Sequence, residues 1–327
     1  MNINGGTLFG FLLIDKPAGL GSGQIVLQVA KRLRDMGFEA PVGHCGTLDP
    51  LATGLMVLAI GPATRLTPWL QSGNKRYEAR FQLGVTSESL DLETPLVEAD
   101  PVPHPLLETV RATCANFVGR RSQIPPKYSA IHVQGKRAYE LARDGRQFEL
   151  PPREIHIHRL DLLEYAWPSF KIDVLCSGGT YIRTLGDDLA REWGTRAVMT
   201  DLRRTAASGY ELQQAWSWSE INLTDTWTNQ LLSVASALHD LPRVTVDLEI
   251  ARRFRNGLVS QTLDSQLEET WRVHGHEVGS AKSSKEILVL LPDQRPVGIV
   301  YHRSKAGCED AWRIKLNLAQ WLEPDFF

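Results

Sequence analysis

Apolar and polar residues alternate strictly along residues 75–83. Tyr77, Ala79, Phe81 and Leu83 fall on one face, and Arg76, Glu78, Arg80 and Gln82 on the other. A period of two predicts a half-buried strand. Gly10 to Ile14, Leu55 to Ile60 and Ile172 to Cys176 are short apolar runs that predict buried strands. Helical spacing appears at Ile25, Val26, Val29, Ala30 and Leu33, with Ser22 as the expected cap and Gly37 as the stop. A second helix is predicted from about Pro105 to Val118, burying Leu106, Leu107, Val110 and Phe117. A third runs over Arg137 to Arg143. A fourth is opened by Thr184, carries Leu185, Leu189 and Trp193 on one face, and stops at Gly194. Strands and helices interleave without a regular βαβ rhythm or a GxGxxG. The pattern therefore predicts an α+β chain built on a mixed sheet and excludes a dinucleotide fold. A boundary is expected near residues 240–250. Strand-like runs follow at Ile287 to Leu291 and Val297 to Tyr301, and 274–286 reads as an exposed polar loop.

Composition narrows the class. At 327 residues, two domains are the expectation. With 43% hydrophobic and 23% charged residues the chain can bury a core and remain soluble. No stretch approaches the ~20 apolar residues of a membrane helix, and Phe11 to Ile14 lacks the basic flank of a signal peptide. Cys45, Cys114, Cys176 and Cys308 are scattered without a CxxC pair, which argues against a zinc site and against a disulfide framework. A reducing, cytoplasmic setting is expected. The net charge of −2 says little about nucleic acid, but residues 111–146 hold eight Lys/Arg against Glu140 and Asp144, a local +6. That segment is either a solvated face or a surface for an anionic partner.

The chemistry concentrates in Gly43-His44-Cys45-Gly46-Thr47-Leu48-Asp49-Pro50-Leu51-Ala52-Thr53-Gly54. Pro50 restricts Asp49, and the flanking glycines permit close approach of another molecule. An acid held this way is a nucleophile, a base, or simply an Asx turn. Cys45 beside His44 raises a thiol reading, yet adjacent residues of an extended turn point apart, which favours a small buried Cys.

These twelve residues closely resemble the catalytic motif of the tRNA pseudouridine-55 synthases, the TruB family. Asp15-Lys16-Pro17-Ala18-Gly19, Lys75-Arg76-Tyr77, Ile124 to Arg143, Ser177 to Leu185 and Leu202-Arg203-Arg204-Thr205 are similar to further family motifs in the same order. The resemblance spans roughly residues 10–210; Cys45 and Gly21 depart from the usual residues. It implies a mostly antiparallel pseudouridine-synthase domain over 1–245, with an RNA-gripping insertion at about 122–150. A small β-rich PUA-like RNA-binding domain is implied over 246–327.

It further implies isomerisation of uridine 55 in the tRNA T-loop, with Asp49, Tyr77 and Arg183 as the catalytic set. Arg183 is expected to pair with Asp49 and keep it charged against burial. His44, Tyr181, Leu202 and Lys16 would bind the RNA, the first three around an everted base and Lys16 at a phosphate or in an ion pair. The reaction imports no group, so no cofactor and no metal are expected. The partner is the T-arm of tRNA, and the protein is expected to act as a monomer without an obligate protein partner. Two rival readings are a non-catalytic tRNA-binding or tRNA-folding protein and a methyltransferase using Cys45. The latter would need a donor site, and no glycine-rich nucleotide loop is visible.

Overall fold

In the computed structural model, which describes residues 3–4, 7–99, 103–133, 135–274, 285–303 and 311–319, the apolar runs form the middle of one large sheet. Strand β1 (Gly10–Lys16) is followed by helix α1 (Ser22–Asp35) and strands β2 (Val42–His44), β3 (Thr53–Ile60) and β4 (Lys75–Leu83). Helix α2 (Leu107–Asn116) and strand β5 (Gly119–Gln123) lead into the basic insertion, which carries helix α3 (Ala138–Arg143). Strands β6 (Arg153–Ala166) and β7 (Ser169–Cys176), helix α4 (Ile182–Glu192), strand β8 (Ala197–Ala207) and the edge strand β9 (Trp216–Ser217) follow. The strands lie in the order β9-β1-β3-β8-β4-β7-β6-β5, with β2 pairing off this path to β3. The sheet is antiparallel except where β3 meets β8 and β9 meets β1. The expected mixed, mostly antiparallel α+β architecture is what the chain adopts.

The β4 alternation decides how the layers stack. Tyr77, Ala79, Phe81 and Leu83 are all buried, packed with Val110, Cys114 and Phe117 from α2 and its end and with Leu185 and Leu189 of α4. Helix α4 lies so close to β4 that a Cβ on Gly186 would stand 2.0 Å from the Phe81 ring. Glycine there lets the helix settle onto the sheet and sets the height of Arg183, one turn earlier. Ile25, Val29 and Leu33 of α1 bury on Leu12, Ile14, Met56 and Leu58.

A separate four-stranded sheet is built from β10 (Arg243–Thr245), β11 (Glu286–Leu290), β12 (Pro296–Arg303) and β13 (Ala311–Asn317), in that order. Helices α5 (Leu248–Arg255) and α6 (Gln261–His274) pack on it. Leu288, Leu290, Ile299 and Leu316 share a core with Phe11, Leu13, Leu55 and Val57 of the large sheet. The Trp69 indole donates to the Glu286 carboxylate at 2.7 Å across the same junction.

Several local expectations need correction. Ser22 is the first helical residue and does not cap α1. Gly21 is the cap, its N–H donating to the Gln24 side chain, while the Ser22 hydroxyl is bonded to the Leu48 backbone. Helix α4 begins at Ile182 with Tyr181 as its cap, two residues before Thr184. Leu106 and Leu107 precede or open α2 on its outer side and are 75% and 41% exposed, leaving Val110, Cys114 and Phe117 to make the contact. Helices α5 and α6 were not foreseen, and most of the loop expected at 274–286 lies outside the described residues.

Candidate functional site

The loop between β2 and β3 carries Asp49, and four neighbours hold it from below. The Lys16 ammonium donates to the carbonyls of Pro17 (2.8 Å), Pro50 (3.3 Å) and Ala52 (2.6 Å). The Gly19 N–H donates to the Pro50 carbonyl at 2.8 Å, and the Ser22 hydroxyl bridges the Leu48 N–H and C=O, both at 2.8 Å. Arg204 donates from Nε to the Leu55 carbonyl (2.6 Å) and from Nη2 to the Gly46 carbonyl (3.2 Å). Gly54 closes the loop at φ +100°, and a Cβ there would lie 2.3 Å from the Arg204 carbonyl, so only glycine allows β3 and β8 to pair at this point. By contrast Gly43 has room for a side chain, its nearest neighbour in that direction being 3.7 Å away.

Above this frame the Asp49 carboxylate meets Arg183 at the start of α4, with Nε to Oδ2 at 3.2 Å. The Asp49 side chain is 33% exposed and the Arg183 side chain 6%, so the acid reaches the surface while its cation is buried. Arg183 Nη1 also meets the Asp91 carboxylate at 3.2 Å and donates to the Ser89 carbonyl at 2.8 Å; Nη2 donates to the Tyr128 carbonyl at 2.8 Å. One guanidinium thus spans two carboxylates and a carbonyl of the basic insertion.

The electrostatic outcome differs from the simple expectation. Burial raises the Asp49 pKa above the ordinary carboxylate value. Arg183 and Lys16 oppose the rise, while Asp91 and Glu93 add to it. Arg183 limits the shift without cancelling it. Burial likewise lowers the Lys16 pKa to about 8, with Asp49 pulling it back up.

Tyr77 is buried on β4 directly opposite Arg204 of β8, and Leu202 lies two residues earlier on β8. Tyr77, Leu202, Leu48 and Ala52 belong to one apolar cluster beneath the Asp49 loop. Burial raises the Tyr77 pKa, against the pull of Arg204 across from it. Tyr181 is half-buried, its backbone N–H and C=O both bonded to the Gln123 amide, and the Arg153 guanidinium lies 5.5 Å from its ring centroid. His44 is partly buried on β2, and burial followed by Arg204 and Arg137 lowers its pKa, so it is neutral at pH 7. Lys16 stands apart from the other expected binding residues: it is 0% exposed, and its three donors are directed at loop carbonyls, which makes it a strap for Asp49.

Cys45 is 4% exposed, and burial pushes its thiol up to about 11, so it is not a thiolate at neutral pH. Cys45→Ala is expected to keep wild-type turnover; an inactive variant would restore thiol chemistry. Asp91 was missed from the sequence, and Arg204 was noted there only as part of a motif, without a role. Asp91 lies in the mixed stretch Glu88-Ser89-Leu90-Asp91-Leu92-Glu93-Thr94, whose Leu92 is 50% exposed, so nothing local marks its burial.

Seven of the eight cations counted in residues 111–146 are exposed, all but Arg121. The insertion is fastened to the body by Arg143 to Glu93 at 2.5 Å and, next to Asp49, by the Arg183–Tyr128 bond. The site therefore combines an ionisable carboxylate, an aromatic hydroxyl, an apolar floor and a cationic rim.

A family model described as TruB family pseudouridylate synthase (N terminal domain) matches residues 34–182. The tRNA pseudouridine synthase B of Syntrophobacter fumaroxidans is 39% identical over 294 residues, 88% of this chain and 90% of that protein. That of Thiobacillus denitrificans is 39% identical over 291 residues, 86% and 94% of the two chains. That of Rhodopirellula baltica is 47% identical over 205 residues, 62% of this chain and 59% of that one. Among solved structures, a chain of a Cbf5-Nop10-Gar1 complex superposes with a TM-score of 0.67 at 18% identity, covering 96% of this chain and 87% of that chain, a likeness of fold.

Proposed function

The chain belongs to the TruB family of pseudouridylate synthases, and on that premise we propose that it isomerises uridine 55 in the tRNA T-loop, with Asp49 as the essential carboxylate. The observation that carries this reading is the Asp49–Arg183 pair: a partly exposed acid backed by a buried cation, on a loop whose Leu48 and Ala52 pack with Tyr77. In the reaction the N1–C1′ bond of uridine breaks, the uracil turns, and a C5–C1′ bond forms while the C5 proton leaves and N1 gains one. Attack on C1′, attack on C6 and removal of the 2′ proton all require the carboxylate ionised. Arg183 supplies that bias, and the loop straps fix its aim.

Tyr77 lies below the reacting base, where its ring can stack and its hydroxyl can exchange a proton. Tyr181, Leu202 and His44 line the space for the everted base. The exposed cations of the insertion meet RNA phosphates, and T-arm shape provides selection. In this reading residues 1–245 are the catalytic domain and 246–327 a PUA-like RNA-binding domain. The enzyme works as a cytoplasmic monomer without a cofactor.

The test is tritium release from an unmodified T-arm stem-loop carrying [5-³H]uridine. One tritium per RNA should be released, and replacing the uridine at the position equivalent to 55 by cytidine should abolish it. Release that survives that replacement would overturn the positional assignment.

A further inference from the structure

Arg204 is 2% exposed, yet each of its hydrogen bonds among the described residues ends on a backbone carbonyl. A buried guanidinium is costly to desolvate, so its location calls for a reason. The topology supplies one. Arg204 is register partner to Gly54 on the parallel side of β8 and to Tyr77 on the antiparallel side. Its Nη2 reaches the Gly46 carbonyl at the beginning of the Asp49 loop, and its Nε reaches the Leu55 carbonyl just past the end. Tyr77 sits directly across from it on β4, close enough for the guanidinium to pull down the pKa of its hydroxyl against burial. Its neighbour Arg203 points to the opposite face of the strand and pairs with Asp15 at 2.8 Å, as alternation requires.

We propose that Arg204 is a positioning residue that sets both reactive side chains at once, spanning the Asp49 loop from Gly46 to Leu55 while fixing the orientation of the Tyr77 hydroxyl. A guanidinium has only donors, so a phenol across from it is biased to turn its oxygen toward Arg204 and its own proton away. The planar fork does this in one rigid unit; a lysine ammonium would reach one acceptor set without the fixed angles. The inference rests on the proposed pseudouridine chemistry for its consequence, but the loop span is independent of it.

The experiment compares wild type, Arg204→Lys and Arg204→Ala in three measurements. These are the single-turnover rate at saturating T-arm stem-loop, the dissociation constant for that RNA, and hydrogen exchange of residues 46–54 in the RNA-free protein. Both variants should lose rate by about a hundredfold, the effect of misplacing reactive groups by an ångström, with RNA affinity preserved. Exchange in the loop should accelerate while the rest of β3 and β4 stays protected. Added guanidinium, but not ammonium, should restore part of the Arg204→Ala rate. Wild-type rates in the variants overturn the proposal. So does a parallel loss of rate, affinity and thermal stability without guanidinium rescue, and so does failure of both variants to fold. A wild-type enzyme that makes no pseudouridine overturns the functional reading instead, and loop exchange then decides the clamp alone.

Discussion

Asp49→Asn is expected to lose turnover by about 10⁴-fold or more while binding T-arm RNA with unchanged affinity. The amide keeps the shape of the side chain and can still occupy the turn, whose straps run to backbone atoms of Pro50, Ala52, Leu48 and Gly46. What it removes is the charge that every route to C1′, C6 or the 2′ proton consumes. The stability prediction has the opposite sign. The Asp49 pKa is raised in the fold, so ionisation of this group costs stability as pH rises from the unfolded pKa through the folded one. At neutral pH the substitution removes that cost, and the thermal midpoint should rise. A variant that is inactive yet more stable separates a catalytic acid from a structural one. It also separates an enzyme from a protein that only binds tRNA, because retained isomerisation would contradict the assignment.

Arg183→Gln carries the second large effect, and it acts on both stability and rate. It strips the cation from Asp91, whose side chain is 3% exposed, and from Asp49 in front of it. Leaving a buried carboxylate without its partner costs about 3–5 kcal/mol, which urea denaturation would read directly. Turnover should fall by about 10²–10³-fold, as when a preorganised electrostatic contact is removed. Loss of the guanidinium also leaves Lys16 as the remaining cation opposing burial, Asp91 and Glu93 at Asp49, so its pKa climbs further. The acid limb of the rate profile should therefore move to higher pH. Adding Asp91→Asn should return much of the lost stability by removing the stranded charge, but not the rate. Recovery of both would mean that Arg183 serves only to neutralise Asp91.

Patterning was legible wherever a single element decides it. The alternation of Tyr77, Ala79, Phe81 and Leu83 names the buried face of β4 because strand periodicity depends on no distant residue. The spacing of Leu185, Leu189 and Trp193 does the same for α4. Asp49 stood out through its turn chemistry, but local reasoning alone left it an ordinary Asx turn; the family motifs changed that order. Arg183 was legible only through resemblance, since nothing local says that a helix start will meet a loop more than a hundred residues earlier. Arg204 and Asp91 were hidden for the same reason. Their roles depend on β8 pairing in parallel with β3 and on the segment after β4 folding back to α4. Lys16 shows the converse: its charge invited an anionic partner, whereas burial directs it to three carbonyls. Leu106 and Leu107 show that apolar residues at a helix entry need not face the core.

The central claim is most directly tested by incubating the purified protein with unmodified T-arm stem-loop and locating pseudouridine in the product at single-nucleotide resolution. The account predicts stoichiometric conversion at the uridine equivalent to position 55, and none with Asp49→Asn. Absence of pseudouridine from the wild-type reaction, or its formation by the Asn variant, would contradict it.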